Sequence, residues 1–169
     1  MKLIEALKAE KRLLERIADL NKKVSEHSAY LDFETPRYED QTSQVKKWMD
    51  SIRDTLQETE RLRLAIQQTN ILTLVMIELE GKLLQKSIAS WIYRRRVLAK
   101  IEGQSWANLT DRGLQEARIR ESTGKDRDIK IVRCYDPAEK DLKLRALQEE
   151  PGLIDSALEV VNASTDLME

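Results

Sequence analysis

The chain has 169 residues, enough for one domain of ordinary size; 35% are charged, 5% are aromatic, and there are only 5 Gly and 3 Pro. That is the profile of long solvated helices rather than of a thick globular core, and 41% hydrophobic residues at regular spacing exclude disorder. A formal net charge of −1 supplies no global field toward nucleic acid or an anionic membrane, and a single Cys excludes an intramolecular disulfide.

The opening Met1-Lys2-Leu3-Ile4-Glu5 carries no signal-peptide apolar run. No stretch approaches the roughly 18–20 apolar residues of a transmembrane helix. The expectation is a soluble, cytoplasmic protein with no membrane contact.

Residues 2–27 are predicted as the first helix. Leu3, Leu7, Leu14, Ile17 and Val24 keep a four-three spacing, with Glu10 and Asn21 in the gaps. Ile4, Leu13 and Leu20 widen the stripe. A mean spacing of about 3.5 is the mark of a left-handed coiled-coil seam. Asn21 either fixes register with a partner Asn or sits at a fraying edge. Such a helix is roughly 39 Å long and cannot bury its narrow stripe alone.

Residues 28–40 break the period and hold Tyr30, Phe33 and Tyr38, with Pro36 excluding helix. Aromatics so close together are expected to shelter one another as a cap folded on the helix ends. A binding loop is the alternative. A second helix is predicted over 41–69, with Asp40 or Thr42 as N-cap and Val45, Trp48, Met49, Ile52, Leu56, Leu62, Ile66 and Thr69 on its apolar side. The two helices form an antiparallel pair that still needs partners, from this chain or another copy.

The stretch 71–84 is the hub, because helical periodicity stops there. Aliphatic residues lead into Glu80-Gly81, and a second short apolar run follows, which predicts a β-hairpin with a two-residue turn. A third helix is expected over 88–109, with Ser87 as N-cap and Ile88, Trp91, Ile92, Leu98, Ile101, Trp106 and Leu109 as its apolar positions. It contains Tyr93-Arg94-Arg95-Arg96. A basic cluster can grip phosphate. Consecutive arginines point around a helix instead of forming one patch, so a solvated or salt-bridged surface is the favoured reading.

From 110 to 135 the helical period is lost. A weak strand over 114–121 and a clearer one over 127–135 are expected to pair as a second hairpin that could extend the first sheet. Asp136-Pro137 opens a last helix to about Asn162, which Pro151-Gly152 should kink or interrupt. The partly apolar tail 164–169 is expected to dock on the hairpin region.

Little chemistry is legible. His27 is the sole histidine, which removes His-based metal clusters and a His-dependent triad. Cys134 has no neighbouring Cys or His and reads as a structural thiol. The carboxylates are spaced as helix-surface charges. Ser122-Thr123-Gly124-Lys125 lacks the order of a phosphate-binding loop and reads as a turn. No catalytic, metal or cofactor site is expected.

The order of elements, with Met1-Lys2-Leu3, Glu5-Ala6-Leu7, Ile66-Gln67-Gln68-Thr69-Asn70, the helix start from Ile88 to Arg95 after a Gly turn, Ile129-Lys130-Ile131-Val132, and Asp155, Leu158, Asn162, Thr165, Asp166 and Leu167, resembles a family of small bacterial and phage-borne proteins. Some of that family carry the name septicolysin; their function is otherwise unknown. The resemblance covers most of the chain. It implies a helical protein with a small sheet that forms a homo-oligomer, and the name would imply a cytolysin. A cytolysin is disfavoured here, because a membrane-spanning strand needs about 9–11 residues. The second strand of the hub hairpin is too short and too charged.

The fold expected is mainly α (α+β): a long antiparallel helical hairpin or coiled coil plus a small antiparallel β-sheet of hairpins. It is read as one domain, 1–169, in three successive segments, 1–70, 71–135 and 136–169. The leading functional reading is a non-enzymatic, self-associating structural or scaffold protein, with Leu7, Leu14, Ile17, Ile52 and Ile66 in its core or interface. The alternative is a nucleic-acid- or virion-associated protein that binds anions through Arg94, Arg95 and Arg96. An enzyme with a site between subunits has no residue pattern in its favour.

Overall fold

Local chemistry starts the helices in this computed structural model, which describes residues 1–168. α1 (Leu3–His27) opens at Lys2, whose backbone N–H donates to the Glu5 carboxylate at 2.8 Å. That bond satisfies a donor at the helix start. α2 (Gln41–Leu72) is capped by Asp40, not Thr42: Asp40 Oδ1 accepts from the Ser43 backbone N–H at 2.9 Å.

Glu80-Gly81 turns β1 (Leu74–Leu79) back into β2 (Lys82–Ser87), as expected. Both turn residues have positive φ, 51° and 72°, which is what the tight hairpin turn of this handedness demands. Gly81 adopts it freely. Glu80 does so while its carboxylate accepts from Lys143 Nζ at 2.7 Å. The predicted helix 88–109 is three pieces: α3 (Ile88–Tyr93), a π-helical turn (Arg94–Leu98) and α4 (Ala99–Ala107). Nothing in residue type announces the wider turn; two of the carboxylates that pair with it, Glu150 and Asp155, come from far along the chain.

β3 (Ala117–Arg120) and β4 (Asp126–Ile129) pair antiparallel, Ala117 opposite Ile129 and Arg120 opposite Asp126. They do not extend the first sheet: among the described residues there are two separate two-stranded sheets. The reason is burial. β1 alternates exposed and buried residues, whereas every residue of β3 and β4 is exposed. Ala117, Ile119 and Ile129 share one face of this hairpin, but that face packs against nothing that would carry it into another sheet. The strand expected over 127–135 stops at Ile129. Beyond it Arg133 forks onto Asp111 at 2.7 and 2.6 Å, which ties that segment to the preceding turn instead of to a ladder.

α5 (Pro137–Ser164) starts as expected, with Asp136 Oδ1 accepting from the Ala138 N–H at 2.9 Å. It is not interrupted at Pro151-Gly152. Proline removes one helical donor. Buried Glu150 and Ile154 flank it and hold the chain on course.

The contacts gather into two compact units, whose borders differ from the three successive segments expected. The first holds Met1–Val75, Ser87–Ala89 and the chain from Leu158; the second holds Met76–Lys86 and Ser90–Ala157.

In the first unit α1 and α2 run antiparallel. Gln41 Nε2 donates to the His27 carbonyl (3.0 Å), Arg16 Nη2 to Ser51 Oγ (3.4 Å) and Arg63 Nη1 to Glu10 (3.2 Å), so positions that rise along one helix fall along the other. α2 buries Trp48, Ile52, Thr55, Ile66 and Thr69, and half-buried Thr59 and Leu62 complete an unbroken heptad seam. The Thr55 and Thr69 hydroxyls donate to carbonyls four residues back at 2.7 and 2.8 Å, so polar side chains in the seam are satisfied. On α1, Asn21 is exposed, outside the seam.

The tail bonds to the start of α1 and to the end of α2. The Leu3 N–H donates to the Thr165 carbonyl (2.9 Å), the Leu167 N–H to the Met1 carbonyl (2.8 Å) and the Met168 N–H to Thr69 Oγ1 (2.9 Å). Backbone groups freed at the start of α1 and a hydroxyl late in α2 attract it. The aromatic cap holds only for Tyr38, whose ring packs edge-on against His27 and Trp48 at 5.5 Å each. Phe33 is 80% exposed and Tyr30 is exposed too, because the tip closes on itself through Leu31 and Glu34 and turns them outward.

Candidate functional site

Two constellations stand out, one in each unit. In the second unit the π-helical turn carries Arg94, Arg95 and Arg96. Arg94 makes a bidentate pair with Glu150, Nε to Oε1 at 2.5 Å and Nη2 to Oε2 at 2.8 Å, and its Nη1 reaches Glu102 at 2.5 Å. The Glu150 hydrogen bonds hold this guanidinium more firmly protonated than usual, against the opposing effect of burial. Arg95 Nη2 donates to Asp155 at 2.6 Å. Arg96 is exposed and makes no ion pair among the described residues. The three arginines therefore do not converge on one anion site, and two of them are already matched by carboxylates from α5.

Arg94 borders a cleft of about 320 Å³. Lys82, Lys86, Lys143 and Arg94 line it together with Glu80, Glu102, Glu149 and Glu150. Equal numbers of each sign leave no preference for an anion or a cation. Cys134 is exposed and lies outside any strand.

In the first unit the decisive feature is that α2 has two apolar stripes. One is the seam with α1. The other is Met49, Leu56, Leu64 and Ile71, exposed by 50, 51, 59 and 61%. At about 100° per residue these four fall within an arc of roughly 80°, centred about 130° from the seam. Arg53, Glu60 and Gln67 alternate with them along the same arc. Sequence reading placed Met49 and Leu56 on one apolar side with Ile52 and Ile66; the helix separates them. It also passed over Leu64 and Ile71 as members of this row. The signal is present as steps of seven, eight and seven residues, masked by the stronger heptad that runs one or two residues out of phase.

Of the five core or interface candidates, Ile52 and Ile66 are buried in the seam, Leu7 and Ile17 are half-buried, and Leu14 faces outward at 52% exposure. The described residues contain no group of His, Cys, Asp and Glu able to hold a metal ion, and no helix long and apolar enough to cross a membrane.

No family model matches the chain, and no curated protein matches it. Among solved structures, a functionally unknown conserved protein from Corynebacterium diphtheriae is similar over 99% of this chain and 99% of its own, with 19% identity and a TM-score of 0.60. At that identity the likeness shows the fold alone.

Proposed function

We propose that this is a non-enzymatic, self-associating helical protein, a homo-oligomeric structural or scaffold component that works in the cytoplasm. The observation that carries the reading is the outer row of α2. A helix whose apolar seam is already satisfied by α1 has no internal need for Met49, Leu56, Leu64 and Ile71. Full burial of such a side chain is worth about 1.5–3 kcal/mol, so the exposed half of each offers about 1 kcal/mol. Two copies together would gain about 8 kcal/mol, against an association cost of at least about 4 kcal/mol. The row by itself therefore supports reversible, weak association, and exposed Leu14 adds apolar surface in the same unit. The resemblance to the septicolysin-named family, with the homo-oligomer it implies, supports the same reading.

Light scattering over a concentration series tests it. A mass that rises to a fixed multiple of 19.6 kDa is the expected result. A monomer persisting to roughly millimolar concentration would overturn the proposal.

A further inference from the structure

We infer that two copies meet through α2, side by side and antiparallel, about a twofold axis passing at Glu60; this rests on the self-association proposed above. The outer row reads alike in both directions from that residue. Leu56 and Leu64 stand four residues to either side of it, Arg53 and Gln67 seven, Met49 and Ile71 eleven. A contact between identical surfaces about a twofold must be self-complementary, each position meeting its counterpart. Antiparallel pairing centred on Glu60 meets that condition along the whole row. Leu56 of one copy faces Leu64 of the other, Met49 faces Ile71, and Arg53 faces Gln67.

Charge separates this arrangement from the parallel one. Parallel helices in register would set Arg53 against Arg53 as well as Glu60 against Glu60. The antiparallel pair leaves like charges only at the axis. The row spans 22 steps of helix, roughly 33 Å, so the contact is long and narrow. An unrelated partner helix would give no reason for a row symmetric about its own midpoint; a second copy of this chain does.

The test is disulfide trapping of the full chain in a Cys134→Ser background. Every substituted position is exposed, so folding is not at stake. Glu60→Cys is expected to cross-link to itself. Leu56→Cys alone is expected not to, because its counterparts lie about eight residues, or roughly 12 Å, apart along the helices, beyond the roughly 7 Å reach of a disulfide. Mixing Leu56→Cys with Leu64→Cys should restore cross-linking, at a rate roughly tenfold or more above Leu56→Cys alone. Self-linking of Leu56→Cys with no mixed product would overturn the antiparallel pairing while leaving self-association standing. So would an oligomer by light scattering in which none of the three links. A monomer by light scattering would overturn both.

Discussion

Leu64 and Ile66 stand two residues apart on α2, and their truncation should do opposite things. Ile66 is 1% exposed in the seam with α1; Leu64 is 59% exposed on the outer row. Ile66→Ala leaves a cavity in a packed site and should cost about 3 kcal/mol, within the usual range of about 2–5. For a chain of this size that is a fall in Tm of about 6–12 °C, and the fall should be the same at every protein concentration. Leu64→Ala removes side chain mostly from water and should change the stability of the isolated chain by less than about 0.5 kcal/mol. In the proposed dimer, two copies of Leu64 would lose about 1 kcal/mol of burial each, so association should weaken by about 2 kcal/mol, roughly 30-fold in Kd. Thermal melts at low and high concentration, with light scattering on the same samples, separate the two effects. If Leu64→Ala lowered the dilute Tm as far as Ile66→Ala, the outer row would be packed within the chain and the two-stripe argument would fail. If it left both mass and Tm unchanged at all concentrations, α2 would not be the interface.

Three further outcomes are expected. Glu150→Ala leaves the part-buried Arg94 with only Glu102 and should destabilise the chain by about 3 kcal/mol in urea unfolding. Glu102→Ala, which keeps the bidentate pair, should cost clearly less, and equal costs would refute the assignment of Glu150 as the principal partner. Asp40, Asp111 and Asp166 are held below the ordinary carboxylate value of 3.8, chiefly by hydrogen bonds from Ser43, Arg133 and Lys2 in turn. Because these folded-state values are depressed, the stability they contribute is complete above pH 3.8 and is lost as pH falls through the folded values. Asp166→Asn should therefore shallow the acid limb of Tm against pH and leave its neutral slope alone; an unchanged acid limb counts against the Lys2 clamp. Phe33→Ser should leave stability within about 0.5 kcal/mol, whereas Tyr38→Ala, which empties the space between His27 and Trp48, should speed limited proteolysis of the 28–40 loop. Equal effects would mean that Phe33 packs after all.

What the sequence alone determined here is what neighbouring residues decide among themselves. Glu80-Gly81 specifies a tight turn because Gly81 accepts positive φ, and Asp40 and Asp136 start helices because their carboxylates reach N–H groups two or three residues on. The apolar stripe of α1 announces a packed face, but which positions face inward waits on α2: Leu14 and Asn21, two of the expected seam positions, are exposed. The tertiary structure decided everything that depends on residues far apart. Arg94 is matched by Glu150, 56 residues away, which no local pattern announces. The second hairpin stays apart from the first because neither of its strands buries a residue, a property of surroundings rather than of alternation. Pro151 passes through α5 without a break, with buried residues on either side of it. Most consequential is α2, whose apolar residues all look alike in sequence. Only the placement of α1 against one face shows that Ile52 and Ile66 are spent on the core and that Met49, Leu56, Leu64 and Ile71 are not. Periodicity reports which residues share a face; burial is a relation between faces, and it exists only once the chain has folded.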